Sequence, residues 1–223
     1  MILDSLEKEI KIADGLRARG INLIDDSNNG VEIDAKRKKE YENILGEMTK
    51  FEKYCTTIEP LYFIYNTIAY CFLDIEDFDM AHSHGLAFYL LTKEREDKEG
   101  MVIANDFMVN FCASTLNANK LEMYLNESKN NHFQDLDYYD IRFDMLENMK
   151  KFLKDSEIEP VFNMAKSKKP QSYKFLSSAT SEEEKAQERA IRSLMNATGD
   201  ISRNQAIKYI KFANQRKANK EMR

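Results

Sequence analysis

Apolar residues recur at intervals of three and four along much of the chain, which is the spacing of one face of an α-helix. The first such stretch runs from Ile2 to about Ile24. It ends at the polar run of residues 26–30, because Asp, Ser, Asn and Gly favour turns. A second stretch runs from about Ile33 to Cys55 and carries an aromatic and aliphatic stripe. The pattern predicts two N-terminal helices.

Further helical segments follow. Pro60 suits the first turn of a helix, where its missing N–H costs nothing, and Asp77 is placed to cap a helix N-terminus. The predicted segments are Pro60–Leu73, Asp77–Thr92, Asp97–Thr115, Asn117–Ser128 and Asp135–Leu153, followed by a short partner helix Glu157–Ala165. We expect the fourth helix of the chain to pair back on the third.

The chain contains only seven Gly and three Pro, too few for the many turns of a β-sandwich or β-barrel. The predicted class is therefore all-α, with stacked antiparallel helix pairs. A basic, polar stretch that contains Pro170 marks a change of composition and predicts a linker. The predicted organisation is an acidic helical body over residues 1–165, a linker over 166–180 and a basic helical hairpin or tail over 181–223.

Charge divides the chain more sharply than hydropathy does. Val161–Arg223 holds 14 Lys and Arg residues and 6 acidic residues, a net charge of +8. The whole chain carries −5, so Met1–Pro160 carries −13. An acidic body repels nucleic acid, so any contact with nucleic acid should be confined to the C-terminal tail.

The last predicted helix, from Ser202 to about Lys220, has a basic face and a separate apolar face. Such a helix can dock on an acidic protein, a phosphate backbone or an anionic membrane surface. With the preceding helix, from Ser181 to about Asn196, it also looks like a helix-turn-helix, although many helical hairpins share that spacing. A solvated basic face whose apolar side packs on the body is equally compatible. The candidate contact residues, here called the tail cations, are Arg203, Lys208, Lys211, Arg216 and Lys217.

Residues 60–93 resemble the tetratricopeptide pattern, in which large residues on a first helix surround a small one and an Ala opens the second. The matching residues are Tyr65, Ile68, Ala69, Phe72, Phe78 and Ala81. Gly85, Phe88 and Glu76 depart from the pattern, and the next helix pair recurs at a spacing nearer 40 residues. The resemblance implies a scaffold that presents a groove or convex face to a peptide or partner protein, without catalytic chemistry. Any pair of packed helices, however, needs small residues where the helices meet.

The histidines do not predict a metal site. His82 and His84 lie about 200° apart around a helix, so they cannot easily bind one ion together. Asp79 and His82 share a face, as ligands in di-iron bundles do, but such sites need a second carboxylate and histidine pair. The remaining histidine, His132, lies in a polar loop.

A dense acidic turn runs from Asp74 to Asp79. It lacks the central Gly and the distal Glu of a calcium loop, so helix capping is the favoured interpretation. No phosphate-binding glycine loop or nucleophile motif is visible. An enzyme with an acidic cleft at this turn stays open as a third hypothesis, and it predicts divalent metal uptake.

The three cysteines, Cys55, Cys71 and Cys112, are odd in number, far apart and set in apolar surroundings, which predicts a reducing, cytoplasmic location. The first residues lack the pattern of an export signal, and the most apolar stretch, Leu61 to Leu73, is too short to span a bilayer. We therefore expect no export and no membrane insertion.

The favoured function is a noncatalytic interaction protein, a helical scaffold that binds a partner protein. The alternative is a nucleic-acid-binding regulator or packaging factor that uses the tail cations. No cofactor is predicted, and a homodimer is a reasonable expectation because amphipathic terminal helices often pair with their own copies.

Overall fold

The computed structural model describes residues 2–55, 58–156, 159–162 and 164, with side chains from Leu6 onward. Its regular elements are α-helices without any strand among these residues, which confirms the predicted all-α class there. The helices are α1 (Ile2–Asn28), α2 (Ala35–Tyr54), α3 (Ile58–Asp74), α4 (Phe78–Glu94), α5 (Lys98–Ser114), α6 (Ala118–Asn130) and α7 (Leu136–Ser156). The predicted linker over 166–180 and hairpin over 181–223 lie outside the described residues.

The first helix is longer than the sequence predicts. It continues through the polar run to Asn28, and the chain reverses at Gly30, where φ is +82°. The Val31 N–H reaches back to the Asp26 carbonyl at 3.0 Å and the Gly30 N–H to the Ser27 carbonyl at 2.9 Å. These two bonds close the helix as a Schellman motif, in which Gly takes the left-handed position without steric cost.

The turns from α3 to α6 follow one design. Each of Glu76, Glu96 and Leu116 has a positive φ, and each is followed by the Asp or Asn that caps the next helix. The caps Asp77, Asp97 and Asn117 are 20 residues apart, and the predicted cap at Asp77 is confirmed, because its side chain accepts a bond from the Met80 N–H at 3.2 Å. The helices α3, α4 and α5 have 17 residues each.

From α2 to α7, each helix packs against the next one in the chain, and α3 also packs against α5. The predicted pairing of α4 with α3 is thus confirmed. The largest fully buried side chains include Tyr41, Tyr65, Phe107 and Phe111. Tyr41 also ties helix ends together, since its hydroxyl lies 2.8 Å from the Leu23 carbonyl oxygen of α1 and 2.7 Å from Asp74 Oδ2 of α3.

The predicted short helix Glu157–Ala165 is wrong over residues 159–162, because these residues are not helical. Tertiary contacts hold this segment in another conformation. The Val161 N–H donates to the Thr115 carbonyl at 2.9 Å, and the Phe162 ring lies 5.5 Å from the Phe111 ring, centroid to centroid. The segment therefore returns to the end of α5, where Phe162 covers the core.

Candidate partner-binding groove

An open groove of about 780 Å³ lies between α2 and the turn that joins α3 to α4. One wall comes from residues 38–49 of α2, and the other from the end of α3, the turn and the start of α4. We call it the α2–α4 groove, and its lining residues are Lys38, Glu42, Leu45, Gly46, Thr49, Phe72, Ile75, Glu76, Asp77, Phe78, Asp79 and Phe162.

The floor of the groove is apolar. Leu45 and Phe72 are buried in the core, at 4% and 8% exposure, and present only their outer edges. Ile75, Phe78 and Phe162 are half-buried and face the opening. Apolar area left in contact with water costs roughly 25 cal/mol per Å² relative to burial. An apolar side chain placed on the floor would therefore be bound favourably, because it would remove this apolar area from water.

Gly46 leaves a gap in the α2 wall of the groove, because it has no side chain. A Cβ atom built on Gly46 meets nothing within 4 Å, so the wall has open space at this position. Every other α2 residue that lines the groove carries a side chain. The missing side chain leaves room for an entering group beside Leu45.

The two histidines of α4 lie behind the floor and are both buried. His84 stacks on Phe72 with ring centroids 5.6 Å apart, and its ring nitrogens lie 2.9 Å from the Met80 carbonyl oxygen and 3.3 Å from Glu52 Oε2. This bonding bridges α4 to α2 and fixes Phe72 from below. Phe72 is therefore held in place before any ligand arrives.

His82 supports the floor from the other side. Its ring lies 5.6 Å from the Phe162 ring and 5.2 Å from the Phe111 ring, centroid to centroid, and its Nδ1 has no hydrogen-bond partner among the described residues. Burial lowers the pKa of His82 to about 4, although Asp79 acts in the opposite direction. Near neutral pH the ring is thus uncharged and packs as an aromatic side chain beneath Phe162.

The rim of the groove is acidic. Glu42, Glu76, Asp77 and Asp79 are exposed there, and Lys38 is the one cation among the described residues that line it. The macrodipole of α3 ends at this wall and that of α4 begins there, so the two oppose each other. The charged side chains therefore set the sign of the local potential.

A second polar cluster joins α3, α5 and α7. The Asp106 carboxylate accepts bonds from the Tyr138 hydroxyl at 2.9 Å, the Asn110 amide at 3.1 Å and the Tyr70 hydroxyl at 3.3 Å. Arg142 donates to Asn110 Oδ1 at 2.8 Å. Burial raises the pKa of both tyrosines, as does the nearby Asp106 charge. These groups satisfy one another, so we interpret the cluster as a support between helices.

The acidic turn does not gather its carboxylates around one point. Asp74 binds the Tyr41 hydroxyl beneath the surface, whereas Asp77 caps α4. Within the described residues, no group of three or more His, Cys, Asp or Glu side chains is arranged to hold a metal ion. The free thiols of Cys71 and Cys112 are buried, which raises the pKa of each to about 12.

The tail cations lie outside the described residues, so their role stays a prediction, as do the homodimer and the cytoplasmic location. None of the described helices is both long enough and apolar enough to cross a bilayer.

Sequence reasoning missed the groove because its walls come from residues far apart in the chain. Phe72 and Phe78 belong to a helical pattern, but that pattern does not show which of them stays half-exposed. The position of Phe162 depends on the return of the segment after α7. The available signals were Gly46 next to the buried stripe of α2 and the aromatic residue two positions after Pro160.

No family model, curated protein or solved structure matches the chain. The geometry and chemistry of the groove are therefore the basis for inferring its function.

Proposed function

We propose that this protein is a noncatalytic interaction protein whose helical body binds a segment of a partner protein in the α2–α4 groove. The observation that carries this proposal is the apolar floor, with Ile75, Phe78 and Phe162 half-buried at an open groove. Aromatic anchors are over-represented at the centres of protein interfaces, where burial of a few side chains supplies most of the binding energy.

The rigidity of the floor supports this role. Phe72 is stacked on His84, and Phe162 packs against His82 and Phe111. A preformed floor avoids much of the entropy cost of ordering side chains on binding. A partner segment can thus gain most of the free energy that the floor offers.

We also propose that the architecture is a helical-repeat-like scaffold of stacked antiparallel helix pairs. Three successive helices of 17 residues and the 20-residue spacing of their caps support this interpretation. In such scaffolds each repeat contacts its neighbours, and the side chains between repeats form an extended binding surface.

Asp77 and the two histidines behind the floor have structural roles, which favours binding over catalysis. Asp77 is used as a cap, His84 bridges two helices, and His82 is buried behind Phe162. A general acid or base must reach the reacting atoms, and neither histidine reaches the open side of the groove.

The test selects binders from a displayed library of random peptides against the full chain. The blocking variant is Gly46→Phe, which fills the open space on the α2 wall. Its matched control is Gly15→Phe on α1, because a Cβ at Gly15 also meets nothing within 4 Å and Gly15 does not line the groove. We expect selected peptides to lose at least about tenfold in affinity, or about 1.4 kcal/mol, for Gly46→Phe only. Equal affinity for both variants would refute the groove as the site.

A second function is nucleic-acid binding through the tail cations. It is favoured by the net charges of the two parts of the chain, −13 for Met1–Pro160 and +8 for Val161–Arg223. Its test is a salt titration of the full chain on random duplex DNA and RNA, before and after replacing the tail cations with Gln. The control replaces five exposed cations of the body, Lys36, Lys39, Lys50, Lys53 and Lys154. A steep salt dependence that only the tail variant loses would support this function.

A further inference from the structure

We infer that the occupant of the α2–α4 groove is a basic amphipathic segment, with apolar side chains on one face and Lys or Arg residues beside them. This inference rests on the proposed function and adds the chemistry of the partner. It follows from the acidic rim that stands above the apolar floor.

The charge asymmetry lies mainly on one wall. The α2 wall contributes one cation, Lys38, and one acid, Glu42, which are four residues apart on the same helix face. The described residues of the opposite wall include the acids Glu76, Asp77 and Asp79 and no cation. A bound segment therefore meets an excess of negative charge on the side of the α3–α4 turn.

The exposed acids at this wall are placed to act on a ligand. Glu76 stands on the turn itself, at a positive φ, and its side chain is exposed. Asp79 follows in the first turn of α4 and is also exposed. No ion pair with either carboxylate is found among the described residues, so both charges are available to a ligand.

The acidic rim and the apolar floor favour the same ligand, a segment that carries both cations and apolar side chains. Desolvation of the floor requires apolar side chains, whereas the rim repels acidic segments and phosphate backbones. A peptide with only cations would leave the floor uncovered. An apolar peptide with acidic flanks would be repelled at the α3–α4 turn.

The experiment uses the full chain and three synthetic helical peptides of about 14 residues, which span roughly 20 Å. The first has Leu on one face and Lys on the other. The second has Glu in place of every Lys, and the third has Ser in place of every Leu. Affinity is measured by fluorescence anisotropy of labelled peptides at about 0.15 M salt, where long-range attraction to the chain as a whole is screened.

We expect the Leu and Lys peptide to bind about tenfold or more tightly than either of the others. The double variant Glu76→Lys with Asp79→Lys should reverse the preference towards the Leu and Glu peptide. The matched control is Asp140→Lys with Asp144→Lys, two exposed acids on α7 that do not line the groove. It makes the same change in net charge and should keep the original preference.

The outcomes separate this inference from the proposed function. Equal binding of the Lys and Glu peptides, both lost in Gly46→Phe, would overturn the inference and leave the groove as a binding site. A preference that falls equally in both charge-reversal variants would overturn it too, because the attraction would then belong to the whole chain. Binding that Gly46→Phe does not weaken would overturn the inference and the proposed function together.

Discussion

The ring of Phe107 occupies the place where a side chain on Gly85 would begin. A Cβ built on Gly85 of α4 would overlap the ring atoms of Phe107 on α5, and Phe107 itself is fully buried. In the tetratricopeptide pattern a large residue is expected at the position of Gly85. Here the neighbouring helix supplies the bulk, so α4 and α5 approach closely at this point.

This contact predicts opposite effects for two glycine substitutions. Gly85→Ala should lower the free energy of unfolding by about 1–3 kcal/mol, because a buried aromatic ring cannot move aside without repacking. Gly46→Ala should raise it by about 0.5–1 kcal/mol, since a helical glycine with open space gains from an added Cβ. Urea unfolding followed by circular dichroism measures both. Stabilisation by Gly85→Ala would show that the two helices are not in contact at Phe107.

The buried His82 predicts a loss of stability in acid. Its folded pKa of about 4 lies below the ordinary 6.5, so the unfolded chain binds a proton more readily. The contribution of the neutral His82 ring to the free energy of unfolding is fully present above pH 6.5 and is lost as the pH falls towards 4. Between pH 7 and pH 5 we expect it to reduce the free energy of unfolding by about 2 kcal/mol.

The measurement compares unfolding of the parent chain and of His82→Gln at pH 7 and pH 5. The variant should lose less stability than the parent over this interval. His132→Gln is the matched control, because it changes the same residue type in the exposed turn between α6 and α7. An equal loss in the parent chain and His82→Gln would contradict the burial of this ring.

The ion pair between Arg95 and Glu59 predicts that substitutions of these two residues have non-additive effects on the free energy of unfolding. Arg95 Nη1 lies 3.1 Å from Glu59 Oε2, and the two side chains are only 10% and 7% exposed. The Arg95 guanidinium also lies 4.5 Å from the centre of the Tyr62 ring. Arg95→Met should cost about 3–5 kcal/mol, because it removes the cation that pairs with a buried carboxylate. The double variant Arg95→Met with Glu59→Leu should lose less than Arg95→Met alone. Additive losses in a double-mutant cycle would show that the two side chains do not interact.

Glu96, which follows α4, has a left-handed backbone conformation, so its replacement by glycine should stabilise the protein. Glu96 has φ of +53° and is exposed, and a non-glycine residue in this region costs roughly 1–2 kcal/mol. Glu96→Gly should therefore raise the free energy of unfolding by up to about 1 kcal/mol, after the greater freedom of glycine in the unfolded chain is subtracted. Asp144→Gly, at an exposed helical position of α7, should instead lower it by about 0.3 kcal/mol, since Asp is already a poor helix former. A loss of similar size in both variants would count against the turn geometry.

Periodicity and capping were sufficient to locate α1 to α7 within a few residues, because each buried stripe repeats locally and Asp77 starts its helix through a bond to a residue three positions away. The segment after α7 was not predictable, since its conformation depends on the Thr115 carbonyl and on the Phe111 ring. The groove depends on the same long-range contacts. A helical pattern identifies Phe72 as apolar, but only the packed structure shows that Phe162 completes the floor beside it.

The most direct test of the central claim uses a tryptophan reporter in the groove. The chain contains no Trp, so Phe78→Trp gives a single emitter at the floor. Phe152→Trp on α7, where Phe152 is 50% exposed and does not line the groove, is the control. On addition of the Leu and Lys peptide, which contains no Trp, the emission of Phe78→Trp should shift to shorter wavelength and that of Phe152→Trp should not. A peptide that binds by anisotropy without shifting the emission of Phe78→Trp would contradict the proposal that the α2–α4 groove holds the partner.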